Sequence, residues 1–395
     1  MAGHILVLNT GSSSIKYELV DVLTHERPAR GLIERIGERS GRLTHHAGDG
    51  PPYVRERPFP DHGVGLDAMM EAFAAAGPPL DPVAVGHRVV HGGVRFGGPV
   101  LVDDEVVAVI EELAPLAPLH NPVNLAGIRL ARKAFPGVPQ VAVFDTAFHR
   151  TLPPEAYTYA VPRDWREELG VRRFGFHGTS CAYVSRRAAA VLGRDLAELN
   201  LIVLHLGNGA SVTAISGGRS VDTSMGLTPL EGLVMGTRSG DVDPGLAGYL
   251  ARTSGADPQQ VEQDLSRRGG LLALAGTLDM REVRARDDDE ARLALRIYTR
   301  RIRKYVGAYY ALLGRVDALV FTGGVGEHDA ATRAEALAGL DRLGIAVDPA
   351  LNAAGDGERA VSAAGAEVPV LVVPTDEEWE IASQALALIS GGSQD

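Results

Sequence analysis

The sequence predicts an α/β protein built from two domains of similar design. Apolar runs of strand length alternate along the chain with segments of helical periodicity, which is typical of this fold class. Near the N-terminus, Ile5–Leu8 leads through a turn of small polar residues into Ile15–Val20. In the middle of the chain, Leu201–Leu206 leads through a second small-residue turn into Val212–Ile215. Two such hairpins in one chain indicate two halves of similar design.

Composition limits the classes of protein to which this chain can belong. The 395 residues, 45% of them hydrophobic, are enough for two domains that each bury a core. A net charge of −11 disfavours a broad contact with nucleic acid or with a membrane. Cys181 is the single cysteine, which excludes an intramolecular disulfide and a thiolate metal site. Because we find neither a membrane-spanning apolar run nor a leader-like start, we expect a soluble cytoplasmic protein.

The first half continues beyond its hairpin with a polar stretch and then alternates between helices and strands. Residues 26–65 are rich in Arg, Gly and Pro and predict a meander of weak strands. Asp67–Ala76 has a helical pattern that ends at Gly77 and the two prolines after it. The remaining predicted elements are a strand at Val83–Gly93, helices at Glu105–Leu113 and Pro122–Ala134, and a buried strand at Gln140–Phe144.

A domain boundary is predicted near residues 147–155, because Arg150–Pro154 interrupts the pattern. The second hairpin follows a helix at Ser180–Leu192. The later elements are helices near residues 245–253, 257–267 and 290–313, a buried strand at Ala318–Phe321, a helix at Thr332–Leu340, a strand at Pro369–Val373 and a closing helix at Trp379–Ile389.

Asp222–Gly245 fits neither a strand period nor a helix period over its length. It places Arg238 among small residues, which allow a ligand to approach the backbone closely. A guanidinium in this setting suits a carboxylate or a phosphate, although a plain surface loop has a similar composition. Asp241 and Asp243 follow at once, and the sequence leaves open whether they hold Arg238 or cap the next helix.

Three Gly-rich turns follow predicted strands, at Asn9–Ser14, Gly207–Ser211 and Gly323–Glu327. Each offers backbone N–H groups and small side chains that suit phosphate oxygens. None has the P-loop or the dinucleotide-binding pattern, and tight hairpins need glycine in any case. Together they indicate a nucleotide held between the two hairpins, with the third turn as a loop near the base.

Several charged side chains lie in turns or at predicted strand ends, where they suit phosphoryl transfer. They are Arg88, Arg238, His120, His177, His205, Asp145 and Glu377. The histidines and the two carboxylates have simpler explanations: a histidine is often only packed or solvated, Asp145 suits a helix cap, and Glu377 suits the first turn of a helix.

The motifs that carry these residues resemble those of the acetate kinase family over essentially the whole chain. In chain order they are Leu8–Lys16, Gly86–Gly93, Ala117–Pro122, Phe144–His149, Arg173–Thr179, His205–Gly209, Asp222–Gly245, Asp279–Arg281, Phe321–Glu327 and Pro374–Glu378.

The resemblance implies two ribonuclease-H-like domains flanking a cleft, as in the actin, Hsp70 and sugar kinase superfamily. The expected domains are residues 1–148, with a closing helix at 379–391 packed back on them, and residues 149–378, which bind the nucleotide and mediate dimerisation. It also implies a homodimer and the reversible, Mg²⁺-dependent transfer of the ATP γ-phosphoryl group to acetate.

Residue roles follow from the same resemblance. Arg88 and Arg238 hold the acetate carboxylate and then the transferring phosphoryl group. His177 stabilises the transition state, His120 lies near the acyl site, and Asp145 orients an arginine or manages protons and metal. Glu377 and Asn9 bind Mg²⁺, with Mn²⁺ as an alternative. The methyl pocket is formed by Val90, Leu119, Phe176 and Pro229. The nucleotide site is formed by Asn9, Ser12, Lys16, His205, Leu206, Gly207, Asn208, Gly209, Asp279, Met280, Arg281, Gly323, Gly324, Val325, Gly326 and Glu327.

Three departures from the family pattern concern the metal and the nucleotide. Asp376 replaces the usual Asn, which adds a negative charge beside Glu377, and His328 replaces another Asn. Leu274–Leu278 differs from the usual serine-rich form. Two alternative functions remain: a propionate or butyrate kinase, which differs only in the size of its pocket, and a nucleotide-dependent binding module of the same fold.

Overall fold

The computed structural model describes residues 3–391, which divide into two compact units. The first unit contains residues 3–148 and 376–391, and the second contains residues 149–375. Each unit is built around one mixed β-sheet, so the α/β prediction is confirmed.

The strands of the first unit are β1 (His4–Gly11), β2 (Ser14–Asp21), β3 (Ala29–Glu34), β4 (Gly41–Ala47), β5 (Tyr53–Arg57), β6 (Ala84–Val89), β7 (Val100–Leu101) and β8 (Gln140–Phe144). The strands of the second unit are β9 (Asn200–Leu206), β10 (Ala210–Ser216), β11 (Arg219–Thr223), β12 (Ala318–Thr322), β13 (Arg359–Ala360) and β14 (Val370–Val372).

The helices are α1 (His62–Ala76), α2 (Asp104–Glu112), α3 (Asn121–Ala134), α4 (Pro154–Tyr157), α5 (Arg163–Glu167), α6 (Gly178–Leu192), α7 (Leu246–Ser254), α8 (Pro258–Arg267), α9 (Gly270–Ala275), α10 (Met280–Arg284), α11 (Asp289–Leu313), α12 (Gly323–His328), α13 (Ala330–Leu337), α14 (Pro349–Ala353) and α15 (Glu377–Gly391). Short 3₁₀ helices lie at Ala114–Leu116, Ala147–Thr151, Leu196–Glu198 and Asp341–Leu343.

The sheet of the first unit has the order β5-β4-β3-β2-β1-β6-β8-β7. Strands β1, β6 and β8 are parallel, whereas β1 to β5 form an antiparallel meander. Side chains alternate across β1: Leu6 and Leu8 join a core with α1, while Ile5 and Val7 join a second core with α15. Helices therefore cover β1 on both faces, which explains why its apolar run shows no polar alternation.

The second unit repeats this plan with the order β11-β10-β9-β12-β14-β13. Strands β9, β12 and β14 are parallel, and β9 to β11 form an antiparallel meander. Every residue of β12 is buried, as is nearly all of β9. Helices α6 and α11 both pack against β9. The prediction of two hairpins in two similar halves agrees with the pairing of β1 with β2 and of β9 with β10.

Two local predictions are wrong. Gly323–Glu327 is not a loop but most of helix α12, which starts where Gly323 turns the chain with a φ of +76°. Helix α1 begins five residues before the predicted start at Asp67, because the Asp61 side chain accepts a hydrogen bond from Val64 N (2.9 Å). Gly65 lowers helix propensity there, but it lets α1 pack closely against Ile15.

Candidate active site

Arg88 is the centre of a charged cluster in the first unit. It lies near the carboxyl end of β6, and Asp145 follows the neighbouring parallel strand β8. The two side chains form a bidentate pair, Nε to Oδ1 at 3.1 Å and Nη2 to Oδ2 at 2.6 Å, and Asp145 is only 2% exposed. Arg88 Nη1 also donates to Asn9 Oδ1 at 3.4 Å. Burial by itself lowers the pKa of Arg88, but the charges of Asp145 and Glu377 outweigh it and raise that pKa. Arg88 is thus a fixed, permanently charged group.

Glu377 belongs to the same cluster and begins helix α15. Its Oε2 lies 3.9 Å from Arg88 Nε. Burial, opposed by Arg88 and assisted by Asp145, raises the pKa of Glu377 to about 7. A carboxylate whose pKa is raised by burial and by neighbouring negative charge is stabilised in its ionised form when a further cation approaches.

The cluster fits a magnesium ion that keeps most of its water. No group of three or more His, Cys, Asp and Glu side chains in residues 3–391 is arranged to hold a metal ion. Magnesium, however, usually takes one or two carboxylates and completes its shell with water and substrate phosphates. Glu377 and the Asn9 amide are oxygen donors of the required kind, so the residues present fit such an ion.

The charge of Asp376 is engaged by Arg27, which also donates to Glu18 Oε2 at 3.1 Å. The other Asp376 oxygen, Oδ1, accepts a hydrogen bond from Trp379 N at 3.1 Å and so caps the first turn of α15. The departure from the family's asparagine therefore comes with a partner for the extra charge. Lys16, a predicted nucleotide contact, is similarly held by Glu378 and by Glu18, at 2.5 and 3.7 Å.

Two asparagines of α3 hold the backbone after β6, and the sequence reasoning missed both. Asn121 Oδ1 accepts from His91 N at 3.1 Å, and Asn121 Nδ2 donates to His91 O at 3.0 Å. Asn124 accepts from Val90 N at 3.1 Å and donates to Thr10 O at 2.7 Å. They fix Val90, a predicted pocket residue that is 7% exposed. The motif Ala117–Pro122, which contains Asn121 and ends two residues before Asn124, was the only signal for them.

His177 and His205 form a stacked pair in the second unit, with ring centroids 4.2 Å apart. His177 is the N-cap of α6 and has a left-handed backbone, with a φ of 58°. Its Nδ1 is 3.0 Å from Ser211 Oγ, which fixes the ring. His205 Nδ1 is 2.8 Å from Ser180 Oγ, which in turn lies 2.8 Å from Thr375 Oγ1.

Arg238 lies beside His177, with Gly209 between them. A Cβ at Gly209 would lie 3.3 Å from His177 Nε2 and 3.4 Å from Arg238 Nη1, so a side chain at this position would crowd the histidine ring. The Arg238 guanidinium donates to Pro229 O at 3.4 Å, and no carboxylate of residues 3–391 forms an ion pair with it. Burial lowers the pKa of Arg238. A mostly buried arginine without a counter-charge is a site for an anion.

Neither nearby aspartate holds Arg238, which answers the question that the sequence left open. Asp241 accepts from Gly232 N at 2.7 Å and from Tyr305 OH at 2.9 Å, and it therefore shapes the loop that carries the arginine. Asp243 accepts from Gly245 N at 2.7 Å and forms the turn before α7.

A pocket of about 760 Å³ in the second unit brings three predicted nucleotide segments together. Its volume suits a nucleotide-sized ligand. The predicted residues that line it are Gly207, Asn208, Asp279, Met280, Arg281, Gly324 and Val325. The lining residues that were not predicted are Gly236, Leu271, Leu278, Arg284, Tyr298, His328 and Asp329. His328 and Leu278 were singled out only as departures from the family pattern, and Gly236 lies in the motif Asp222–Gly245. The other four carry no motif of their own.

Other predicted nucleotide residues support this pocket from behind. Leu206 is buried in β9, and Gly323 and Gly326 are buried in α12. Glu327 Oε1 accepts from Gly323 N at 2.8 Å and from Thr375 N at 3.1 Å, so it fixes the start of α12. In the first unit, Ser12 is exposed in the turn after β1.

The predicted acyl-site residues are distributed over both units. His120 is the N-cap of α3, and Leu119 beside it is 48% exposed. Phe176 is 2% exposed, and its carbonyl oxygen is 2.9 Å from His149 Nε2. Pro229 presents its carbonyl to Arg238.

Over residues 3–391, no helix is both long enough and apolar enough to cross a membrane.

Comparisons with known proteins cover nearly the whole chain. A profile of the acetokinase family matches residues 4–383. The acetate kinase of Streptomyces coelicolor is 55% identical over 395 residues, which cover 98% of this chain and 97% of that protein. The crystal structure of Porphyromonas gingivalis acetate kinase matches with a TM-score of 0.93 at 42% identity, covering 98% and 100% of the two chains. A propionate kinase from Francisella tularensis matches with a TM-score of 0.92 at 39% identity, covering 97% and 98%.

Proposed function

This chain belongs to the acetokinase family, whose enzymes transfer a phosphoryl group to a carboxylate, and we propose in detail how it does so. The proposed reaction is the reversible, Mg²⁺-dependent transfer of the γ-phosphoryl group of ATP to acetate. The observation that carries the proposal is Arg238, a mostly buried cation without a carboxylate partner that lies beside His177. Such a pair suits the negative charge of an acid and of a transferring phosphoryl group.

The proposed chemistry needs no strong base, because an ionised carboxylate is already a nucleophile. One acetate oxygen attacks the γ-phosphorus in line, the bond from that phosphorus to the β–γ bridging oxygen breaks, and ADP leaves with the electron pair. The main barrier is repulsion between an anion and a polyanion, so catalysis depends on positioning and positive charge. Arg88 and Arg238 supply fixed charge, and His177 donates to a developing phosphoryl charge.

Asp145 serves in this proposal as the group that orients Arg88. Its two hydrogen bonds to Arg88 leave the planar guanidinium no freedom to turn. Glu377 and Asn9 would hold Mg²⁺, or Mn²⁺ in its place. When bound, the ion neutralises charge on the nucleotide phosphates.

The nucleotide is proposed to bind in the 760 Å³ pocket of the second unit. The backbone N–H groups of Asn208, Gly209, Gly324 and Val325 suit phosphate oxygens, together with the dipole of the first turn of α12. Those of Gly207 and Gly323 already donate to Gly209 O and Glu327 Oε1. The apolar side chains of Leu271, Leu278 and Val325 suit the face of a base. From the first unit, the proposal also includes Asn9, Ser12 and Lys16.

The choice of acid depends on a methyl-sized space that we propose is formed by Val90, Leu119, Phe176 and Pro229. The resemblance to a propionate kinase structure favours propionate as a second candidate acid. One methylene changes binding by about 1–3 kcal/mol, so the two acids are separated by kinetics and not by the fold.

A hydroxamate assay with ATP, Mg²⁺ and a series of acids tests the proposal. Hydroxylamine converts the acyl phosphate to a coloured product, so the assay detects the proposed product itself. We expect the highest kcat/KM with acetate, a lower value with propionate and the lowest with butyrate. A higher value with propionate would transfer the proposal to that acid, and no product with any acid would refute it.

We also propose that the chain forms a homodimer and acts in the cytoplasm, where ATP is available. Val242 lies just before α7 and is 43% exposed, and Tyr249 lies in α7 and is 57% exposed. Exposed apolar side chains of this size support a subunit contact on this surface. Light scattering coupled to gel filtration measures the mass, and a monomer at micromolar concentration would contradict the dimer.

A further inference from the structure

Arg333 is a buried arginine that none of the proposed roles uses. It lies in α13, is 1% exposed and is the largest of the fully buried side chains. Its Nε and Nη2 donate to the side-chain and backbone oxygens of Asn352, both at 2.7 Å. Its Nη1 donates to Gly326 O at 2.8 Å and to Glu327 O at 2.9 Å. All four acceptors are neutral oxygens, and no carboxylate of residues 3–391 forms an ion pair with it.

The Nη1 contacts place the Arg333 charge at the C-terminal end of α12. Carbonyl groups at the end of a helix lack partners within the helix and carry partial negative charge. This arrangement stabilises the guanidinium, although burial, assisted by the charge of Arg359, lowers the pKa of Arg333 to about 10. Asn352 completes the arrangement, because its Nδ2 donates to Ala330 O at 2.7 Å.

Helix α12 is the element that this network immobilises. Its N-terminal part brings Gly324 and Val325 to the wall of the 760 Å³ pocket, and His328 lines the same pocket. Glu327 fixes the start of the helix through Gly323 N, and Arg333 fixes its end. The short helix is therefore held at both ends by buried polar contacts.

We propose that Arg333 is a positioning residue for nucleotide binding, which acts by holding α12 against the pocket through the carbonyls of Gly326 and Glu327. The proposal rests on the assignment of this pocket to the nucleotide. A neutral side chain of the same length would fill the space but would not bind the helix end. Lysine would keep the charge, but a single ammonium group cannot span both Asn352 and the α12 carbonyls.

The test is R333K, with R187K as the matched control. Arg187 pairs with Glu358 at the surface of the same unit, and neither residue lines the pocket. Calorimetric titration with ADP measures binding without turnover, and steady-state kinetics give KM for ATP and for acetate. In R333K we expect Kd for ADP and KM for ATP to rise about tenfold, as the loss of one charged hydrogen bond predicts. KM for acetate stays within about twofold, and R187K matches the unsubstituted chain in every measurement.

Equal ADP binding by folded R333K and by the unsubstituted chain would overturn the role of Arg333 alone. So would an equal rise in both KM values, which indicates a general loss of structure. If R333K does not fold, N352L is measured instead and judged by the same criteria. If neither variant folds, the positioning role is overturned in favour of a purely structural one. An unsubstituted chain that binds no ADP would refute the nucleotide pocket itself.

Discussion

Replacing Asp145 by asparagine tests whether the buried pair with Arg88 sets the activity. Asparagine has the same shape and can still accept from Arg88 Nε. In place of Asp145 Oδ2, however, asparagine has an NH₂ group, which cannot accept a hydrogen bond from Arg88 Nη2. Whether this group faces Nη2 or turns away, the 2.6 Å hydrogen bond of the present pair is lost. The net charge of the cluster also becomes one unit more positive. Arg88 then loses the group that fixes its plane.

The magnitude follows from the burial and from the neighbouring charge. Breaking a buried ion pair from one side costs about 3–5 kcal/mol. Glu377, 3.9 Å from Arg88 Nε, remains as a second negative charge and reduces this loss. That cost falls on folding. The cost to catalysis comes from an Arg88 guanidinium that is no longer held in place, for which we expect a loss of about 3 kcal/mol in transition-state stabilisation, or roughly 100-fold in kcat/KM for acetate.

The hydroxamate assay on D145N measures this loss, and D104N is the matched control. Asp104 pairs with Arg132 at 2.9 Å, but its side chain is 94% exposed, so removing its charge changes little. A D145N chain with kcat/KM within about threefold of the unsubstituted value would refute the reasoning, because a fixed Arg88 would then not be needed.

Three further outcomes are expected. Arg238→Ala removes the buried cation without a counter-charge, so turnover falls about 10³-fold in the same assay, and near-normal turnover would contradict its role. Burial lowers the pKa of His87 from 6.5 to about 4, so the folded state favours the neutral ring. The contribution of His87 to the free energy of unfolding is therefore fully present above pH 6.5 and is lost as the pH falls toward 4. In urea unfolding, the loss of stability between pH 7 and pH 5 should therefore be about 2 kcal/mol larger in the unsubstituted chain than in His87→Leu. Tyr298 OH has no hydrogen-bond partner within the described chain, so Tyr298→Phe should raise the unfolding free energy by up to about 1 kcal/mol. Tyr305→Phe, which loses a hydrogen bond to Asp241, should lower it, and urea unfolding measures both changes.

Features that depend on local pattern were predictable from the sequence. The strands β1, β9 and β12 are apolar runs with clear ends, and small residues mark both hairpin turns. The proximity of Arg88 and Asp145 also follows from simple rules, because both lie at the carboxyl ends of neighbouring parallel strands.

Features that depend on distant contacts were not predictable. Arg27 and Asp376 are 349 residues apart in sequence, so no local signal pairs them. Arg284 and Tyr298 reach the 760 Å³ pocket from two different helices, and neither is part of a recognisable motif. The glycines of α12 suggest a loop, and the helix is recognisable only once the contacts of Glu327 and Arg333 at its ends are known.

The repeated strand order has a consequence for the ancestry of the chain. In both sheets an antiparallel meander is followed by parallel strands in the same spatial order. Such a repeated order is the expected result of gene duplication. The equivalent strand ends nevertheless differ: the ends of β6 and β8 carry Arg88 and Asp145, whereas the end of β12 leads into glycines. At these equivalent strand ends, the first sheet carries charged side chains and the second carries open backbone.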